Sequence, residues 1–212
     1  MPRAARVVFP NCPLHVVQRG INRSDCFFCE ADYRDYLRYL ADFSARFSCT
    51  VHAYCLMTNH VHLLLTPRTL DACALLMKNL GQRYVQGINH RLGRSGTLWE
   101  GRYFSGLVTS DAYVLLCYRY IERNPVDAGM VAVPNEYAWS SHRTNAGPRR
   151  EDFVSPHPAY RSVGREAYQA MCEQQIPERA LEEIRKATRL GHAIGAPRRG
   201  PGRPRKKQGL SL

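Results

Sequence analysis

His60 and His62, one residue apart, and Tyr120, four residues before Asn124, are the residues of this 212-residue chain whose types and spacing suit chemistry. In a strand, alternate side chains share a face. The two imidazoles would therefore converge at about 6 to 7 Å between Cα atoms, which can bracket one metal ion. The same His-x-His pattern equally fits histidines satisfied by hydrogen bonds or left on a surface. In a helix, residues four apart stand one turn from each other, so the phenol and the amide would face the same space. The amide oxygen suits a hard divalent cation, and the phenol suits nucleophilic attack on a phosphate held beside it. The plainer alternative packs Tyr120 in the core and leaves Asn124 to end a helix. Tyr118 points roughly opposite. Tyr113 lies near the same face but two turns earlier, where it would need a different metal position.

The elements that must position these groups follow from hydrophobic period. Thr50 to Met57 and His60 to Thr66 are apolar runs separated only by Thr58-Asn59, which predicts an antiparallel hairpin, with Pro67 stopping its second strand. Leu14 to Arg19 reads as a strand closed by Gly20 and followed by a basic turn, in which Arg19 and Arg23 either face a phosphate or are solvated. Glu30 to Phe47 and residues 70 to 92 carry apolar residues at helical spacing, and Leu98 to Val108 resumes strand character. Ser110 caps a helix from Asp111 to about Arg123, which Asn124-Pro125 should close, because a residue before proline is pushed out of the helical region. The order β-α-β-β-α-β, then a helix, predicts an α+β fold with an antiparallel sheet and helices on one face. Past Pro148 the chain turns irregular and proline-containing, then offers a charged helix near 175 to 190. We divide it into residues 1–146, a helical extension 147–194, and a basic tail 195–212.

Composition narrows the partners. With 30 Lys+Arg against 18 Asp+Glu the formal net charge is +12, and six of the basic residues lie in the tail, which has no acid, so polyanions and above all nucleic acid lead. No apolar run approaches the roughly 18 to 20 residues of a membrane helix, and no secretory signal is visible. The expectation is a soluble, cytoplasmic protein with no membrane partner. Eight cysteines in such a chain read mostly as buried, reduced thiols. Cys26 and Cys29 have zinc-knuckle spacing, but no second pair completes four ligands.

Five ordered blocks then carry a resemblance: His15-Val-Val-Gln-Arg-Gly, Tyr54-Cys-Leu-Met-Thr-Asn-His-Val-His-Leu-Leu-Leu, Leu98-Trp-Glu-Gly-Arg-Tyr, Tyr120-Ile-Glu-Arg-Asn-Pro-Val-Asp-Ala-Gly-Met-Val and Tyr137-Ala-Trp-Ser-Ser-His. Over roughly residues 6 to 145 the chain resembles the single-tyrosine HUH transposases, particularly the REP-associated tyrosine transposases. The resemblance implies a ferredoxin-like core acting on single-stranded hairpin DNA of repetitive palindromic elements. It implies His60 and His62 as metal ligands, with Val61 as the apolar member between them, Asn124 as third ligand, and Tyr120 as the nucleophile that forms a 5′-phosphotyrosine. Mg²⁺ or Mn²⁺ is the implied cofactor. The chain departs from the pattern at Asp127, where a basic residue is usual, and at Cys26 to Cys29, where an apolar and acidic stretch is usual.

DNA contacts are expected from Arg19 and Arg23, from Arg83, Arg91, Arg94 and Arg102 along the second long helix and the strand after it, and from Arg203 and Arg205 in the tail. The tail resembles an AT-hook, whose Gly-Arg-Pro fits a duplex minor groove; generic phosphate affinity is its plainer reading. The protein would act as a monomer or homodimer. The alternative function is a catalytically silent DNA-binding or regulatory protein that retains the fold.

Overall fold

The computed structural model describes residues 6–195, so Arg203, Arg205 and the rest of the basic tail lie outside the described residues. Four strands, β1 (Leu14–Arg19), β2 (Cys49–Leu56), β3 (His60–Pro67) and β4 (Phe104–Leu107), form one antiparallel sheet in the order β2-β3-β1-β4. This is the ferredoxin-like arrangement, with β1 and β3 as its inner strands. Both inner strands are buried along almost their whole length, which matches their continuous apolar runs.

Register decides which side chains share a face. Val17 lies opposite His62, His15 opposite Leu64, and Cys55 opposite His62 on the other side. The alternate residues Val16, Leu63, Leu65 and Tyr54 enter a core with α1 (Glu30–Arg46) and α2 (Ala72–Leu92). The other face packs Ala53, Cys55 and Leu64 against α3 (Asp111–Asp127), α5 (Pro158–Val163), α6 (Arg165–Glu173) and α7 (Glu178–Leu190). A four-residue helix, α4 (His142–Asn145), buries His142 and Asn145, and Ala146 just after it joins the same core. Helices therefore cover both faces, not one. The first two take one side, and α3 with the helices after Pro148 take the side that bears the histidines.

Two further expectations are corrected. Strand character at 98–103 ends as a loop bonded to the β1 turn: Trp99 bridges Gly20, and Ile21 N–H donates to the Leu98 carbonyl at 2.9 Å, so β4 keeps only Phe104–Leu107. Helix α3 does not stop before Pro125 but runs to Asp127. Pro125 lacks an N–H for the Ile121 carbonyl, yet it sits in the last turn, where few intrahelical bonds remain to lose. Ala128 N–H still donates to Asn124 O at 3.0 Å, and the Pro125 carbonyl accepts from Met130 N–H at 2.9 Å. Asn124 consequently stays in helical register with Tyr120. The expected cap is present, with Ser110 Oγ accepting from Tyr113 N–H at 3.4 Å.

All eight cysteines are free, and six of them are buried. Cys26 is buried with its thiol donating to the Thr58 carbonyl at 3.4 Å, while Cys29 is exposed at the start of α1. Among the described residues no helix is long and apolar enough to cross a membrane.

Candidate active site

Strand β3 sends His60 and His62 to the face covered by α3, and α3 sends Tyr120 and Asn124 back towards them. The His60 and His62 rings have centroids 4.8 Å apart, and the Tyr120 ring stands edge-on to His62 at 5.4 Å. All four residues line one cavity of about 520 Å³. Asn124 lies against both His60 and the Tyr120 hydroxyl.

The hydrogen bonds around the histidines leave specific atoms over. His60 Nδ1 is 2.6 Å from Asn59 Oδ1, which leaves its Nε2. His62 Nδ1 is 3.1 Å from His15 Nε2, and His62 Nε2 is buried with no hydrogen-bond partner. An orphaned imidazole nitrogen beside a second imidazole and an amide oxygen fits a divalent cation in donor type.

Burial sets the protonation states. It lowers His60 to about 4, with Arg19 adding to the effect and Asn124 opposing it. It lowers His15 to about 3, and it holds His62 well below the ordinary histidine value, helped by His60 and His15. These rings are neutral at pH 7, as metal ligands must be. Burial raises the Tyr120 phenol above its ordinary value, while Arg185 and Asn124 pull it back down.

Arg19 and Arg23 line this cavity, and Arg102 lines a smaller pocket that shares Arg19, Glu100 and Phe104 with it. Arg23 is held there by a left-handed turn, with Asn22 and Arg23 at φ 52° and 59°, and its carbonyl accepts from Asn59 Nδ2 at 3.1 Å. The other three stand elsewhere. Arg83 lies over the Tyr39 ring, Arg91 pairs with the buried Asp32, and Arg94 donates to the Thr97 carbonyl at the end of α2.

Sequence reasoning missed the contribution of α7. Its Arg185 guanidinium lies 5.9 Å from the Tyr120 ring centre, Thr188 Oγ1 is 2.7 Å from His15 Nδ1, and Arg189 also lines the cavity. The amphipathic pattern near 175 to 190 marks a helix but gives no sign that its polar residues enter a site. His15 opens the first of the five blocks, yet no spacing in the chain assigns it a role.

A second group of potential ligands lies in the core behind α3, where atoms of Glu122, His142 and Cys172 come within 4.8 Å of one another. There the carboxyl is already saturated. Oε1 accepts from Ser141 Oγ at 2.6 Å and Asn145 Nδ2 at 2.7 Å, and Oε2 meets Tyr168 OH at 2.7 Å and His142 Nδ1 at 3.1 Å. This is the pattern of a structural tie.

Sheet order, histidine pair and facing phenol define an α+β protein with a polar cavity built on one face of a ferredoxin-like sheet. The profile of the family described as "Transposase IS200 like" matches residues 8–124, more than half of the chain, and the chain belongs to that family. The fold is similar to a solved structure described as "Structure of the REP associates tyrosine transposase bound to a REP hairpin". That likeness has a TM-score of 0.60 at 14% identity and covers 75% of this chain and 93% of that one. A putative transposase from Deinococcus radiodurans R1 is 18% identical over 61% of this chain and 98% of its own, with a TM-score of 0.40. None of the curated proteins matches.

Proposed function

We propose that the protein nicks and rejoins single-stranded, hairpin-bearing DNA through a covalent 5′-phosphotyrosine on Tyr120. The observation that carries this reading is the orphaned Nε2 of His62 in a cavity where His60, Asn124 and Tyr120 also converge. His60, His62 and Asn124 would hold a divalent cation, Mg²⁺ or Mn²⁺, which when bound would polarise the scissile phosphate and offset the charge that develops on it. The Tyr120 oxygen attacks phosphorus, a Tyr–O–P bond forms, and the P–O3′ bond breaks to leave a free 3′-OH. The phenol gives up its proton to solvent, the departing 3′ oxygen takes one up in its place, and Arg185 and Asn124 stabilise the phenolate oxygen before it attacks. Because the linkage conserves the energy of a phosphodiester, the 3′-OH of another strand can reverse the step and complete a transfer without ATP.

Arg19, Arg23 and Arg189 would seat flanking phosphates at the cavity, with Arg102 beside it. Arg83, Arg91 and Arg94 remain proposed contacts for more distant parts of the DNA, and Arg203 and Arg205 for a duplex minor groove. The same reading makes residues 1–146 the catalytic domain, 147–194 an extension and 195–212 a DNA-binding tail, in a cytoplasmic protein.

The deciding experiment is cleavage of hairpin-bearing single-stranded DNA, labelled on the 3′ side of the cut, with the wild type beside Tyr120→Phe. The wild type should cut and carry the label on protein in a denaturing gel. The variant should bind the DNA yet cut at least about 10³-fold more slowly, as expected for loss of a nucleophile. Equal cutting by both proteins defeats the Tyr120 phosphotyrosine reading, and no cutting by either leaves the silent DNA-binding protein.

A further inference from the structure

His15 lies on inner strand β1, and its ring is parallel to that of His62 to within 3°, with centroids 5.3 Å apart. With 3.1 Å between His15 Nε2 and His62 Nδ1, that separation sets the rings nearly end to end, as an N–H···N bond between them requires. On its other side His15 Nδ1 meets Thr188 Oγ1 of α7 at 2.7 Å. All three side chains are buried, with 1%, 3% and 3% of their surface exposed for His15, His62 and Thr188. The result is a closed relay that crosses from α7 through β1 to β3.

Such a relay of two neutral imidazoles has only two polarities. In the first, Thr188 donates to His15 Nδ1, His15 Nε2–H donates to His62 Nδ1, and the His62 proton sits on Nε2. That places an N–H at a buried atom with no protein acceptor among the described residues. In the second, His62 Nδ1–H donates to His15 Nε2 and His15 Nδ1–H donates to Thr188 Oγ1. The threonine oxygen can accept there because a hydroxyl carries two lone pairs beside its own rotatable proton. The second polarity leaves His62 Nε2 as a bare lone pair. A cation ligand must have this form, and a ligating histidine typically gives its other N–H to such a neighbour.

We propose that His15 is the positioning residue for His62, and that the Thr188–His15–His62 relay holds the His62 proton on Nδ1 so that Nε2 is presented to the cavity. The metal part of this inference rests on the proposed function. The tautomer part does not. The anchor, Thr188, lies beyond residues 8–124, so an element outside the family match completes the site.

The test uses the full-length protein, with ¹⁵N-histidine for long-range ¹H–¹⁵N correlation of the His62 tautomer and MnCl₂ titration followed by the electron paramagnetic resonance of free Mn²⁺. The wild type should show the His62 proton on Nδ1. Thr188→Val, which keeps the side-chain shape and deletes the acceptor, should move that proton towards Nε2 and weaken Mn²⁺ binding about 10- to 100-fold. Thr188→Ser restores the acceptor and should return both readouts to wild type. A His62 proton on Nε2 in the wild type overturns the proposal. So does a Thr188→Val protein with unchanged tautomer and affinity, or a folded Thr188→Ser protein as impaired as the valine variant, since packing would then explain the loss. A wild type that binds no Mn²⁺ but carries its proton on Nδ1 defeats the metal reading and leaves the relay standing.

Discussion

At Tyr120 two effects oppose each other: burial disfavours the phenolate, while the Arg185 guanidinium favours it. Cleavage should therefore speed up as pH rises through the neutral and alkaline range, because the phenolate fraction grows towards a raised pKa. Arg185→Gln removes the opposing charge, so its pH–rate curve should move to higher pH. Its rate at a fixed pH near neutrality should then fall about tenfold for every pH unit the curve moves. Superimposable pH–rate curves would dissociate Arg185 from the reaction. The residues readable in the sequence are those whose relation is local: His60 with His62, and Tyr120 with Asn124, each pair brought together by one element's period. His15 and Thr188 are 173 positions apart, and no spacing rule connects them; only the packing of α7 on β1 and β4 does.

Among the elements, the long helices and the β2–β3 hairpin are legible because their apolar periods run over several turns or alternations. The ends are less so. Pro125 carries a stop signal, but a proline in a last turn removes little, and burial of the α3 face outweighs the local preference of Asn124. The loop 98–103 has a strand's composition, with Leu98, Trp99 and Tyr103 buried, but bonds to the turn after β1. That turn is tight. Gly20 N–H donates to Asn59 O at 2.8 Å, and a Cβ at residue 20 would come within 2.2 Å of the Ser24 carbonyl oxygen. Gly20→Ala should force apart the turn that carries Arg19 and Arg23 and displace Asn59, the partner of His60. A loss of about 1 to 3 kcal/mol in urea unfolding is expected, with weakened DNA binding alongside. Unchanged stability would mean the turn relaxes freely.

For the molecule as a whole, acid is the vulnerable direction. His15 and His52 are lowered from 6.5 to about 3 and about 4 by burial, so in the fold both resist protons that the unfolded chain accepts. Each therefore contributes stability that is present above about pH 6.5 and is lost as pH falls towards 4, on the order of 1 kcal/mol per pH unit. Urea midpoints measured from neutral pH down to about pH 4.5 should drop across that window; a flat profile would show that the two rings are not held neutral. Charge gives a second expectation. Removing residues 196–212 takes away six Lys/Arg and halves the net charge of +12. Affinity for single-stranded DNA should fall and the slope of log K against log salt flatten, by at most about 4 if every one of those charges meets a phosphate. The cleavage rate at saturating DNA should be unchanged, and its loss would make the tail part of the chemistry.

The carboxyl of Glu122 has a kinetic consequence. It sits on α3 two residues after Tyr120 and gathers donors from residues 141–145 and from Tyr168. Swinging α3 outward would strip all of these partners from a group that has no access to water. Tyr120 thus rides on a fixed anvil: in the proposed strand exchange, the traffic would be borne by the nucleic acid threading past Tyr120, not by the helix that carries it.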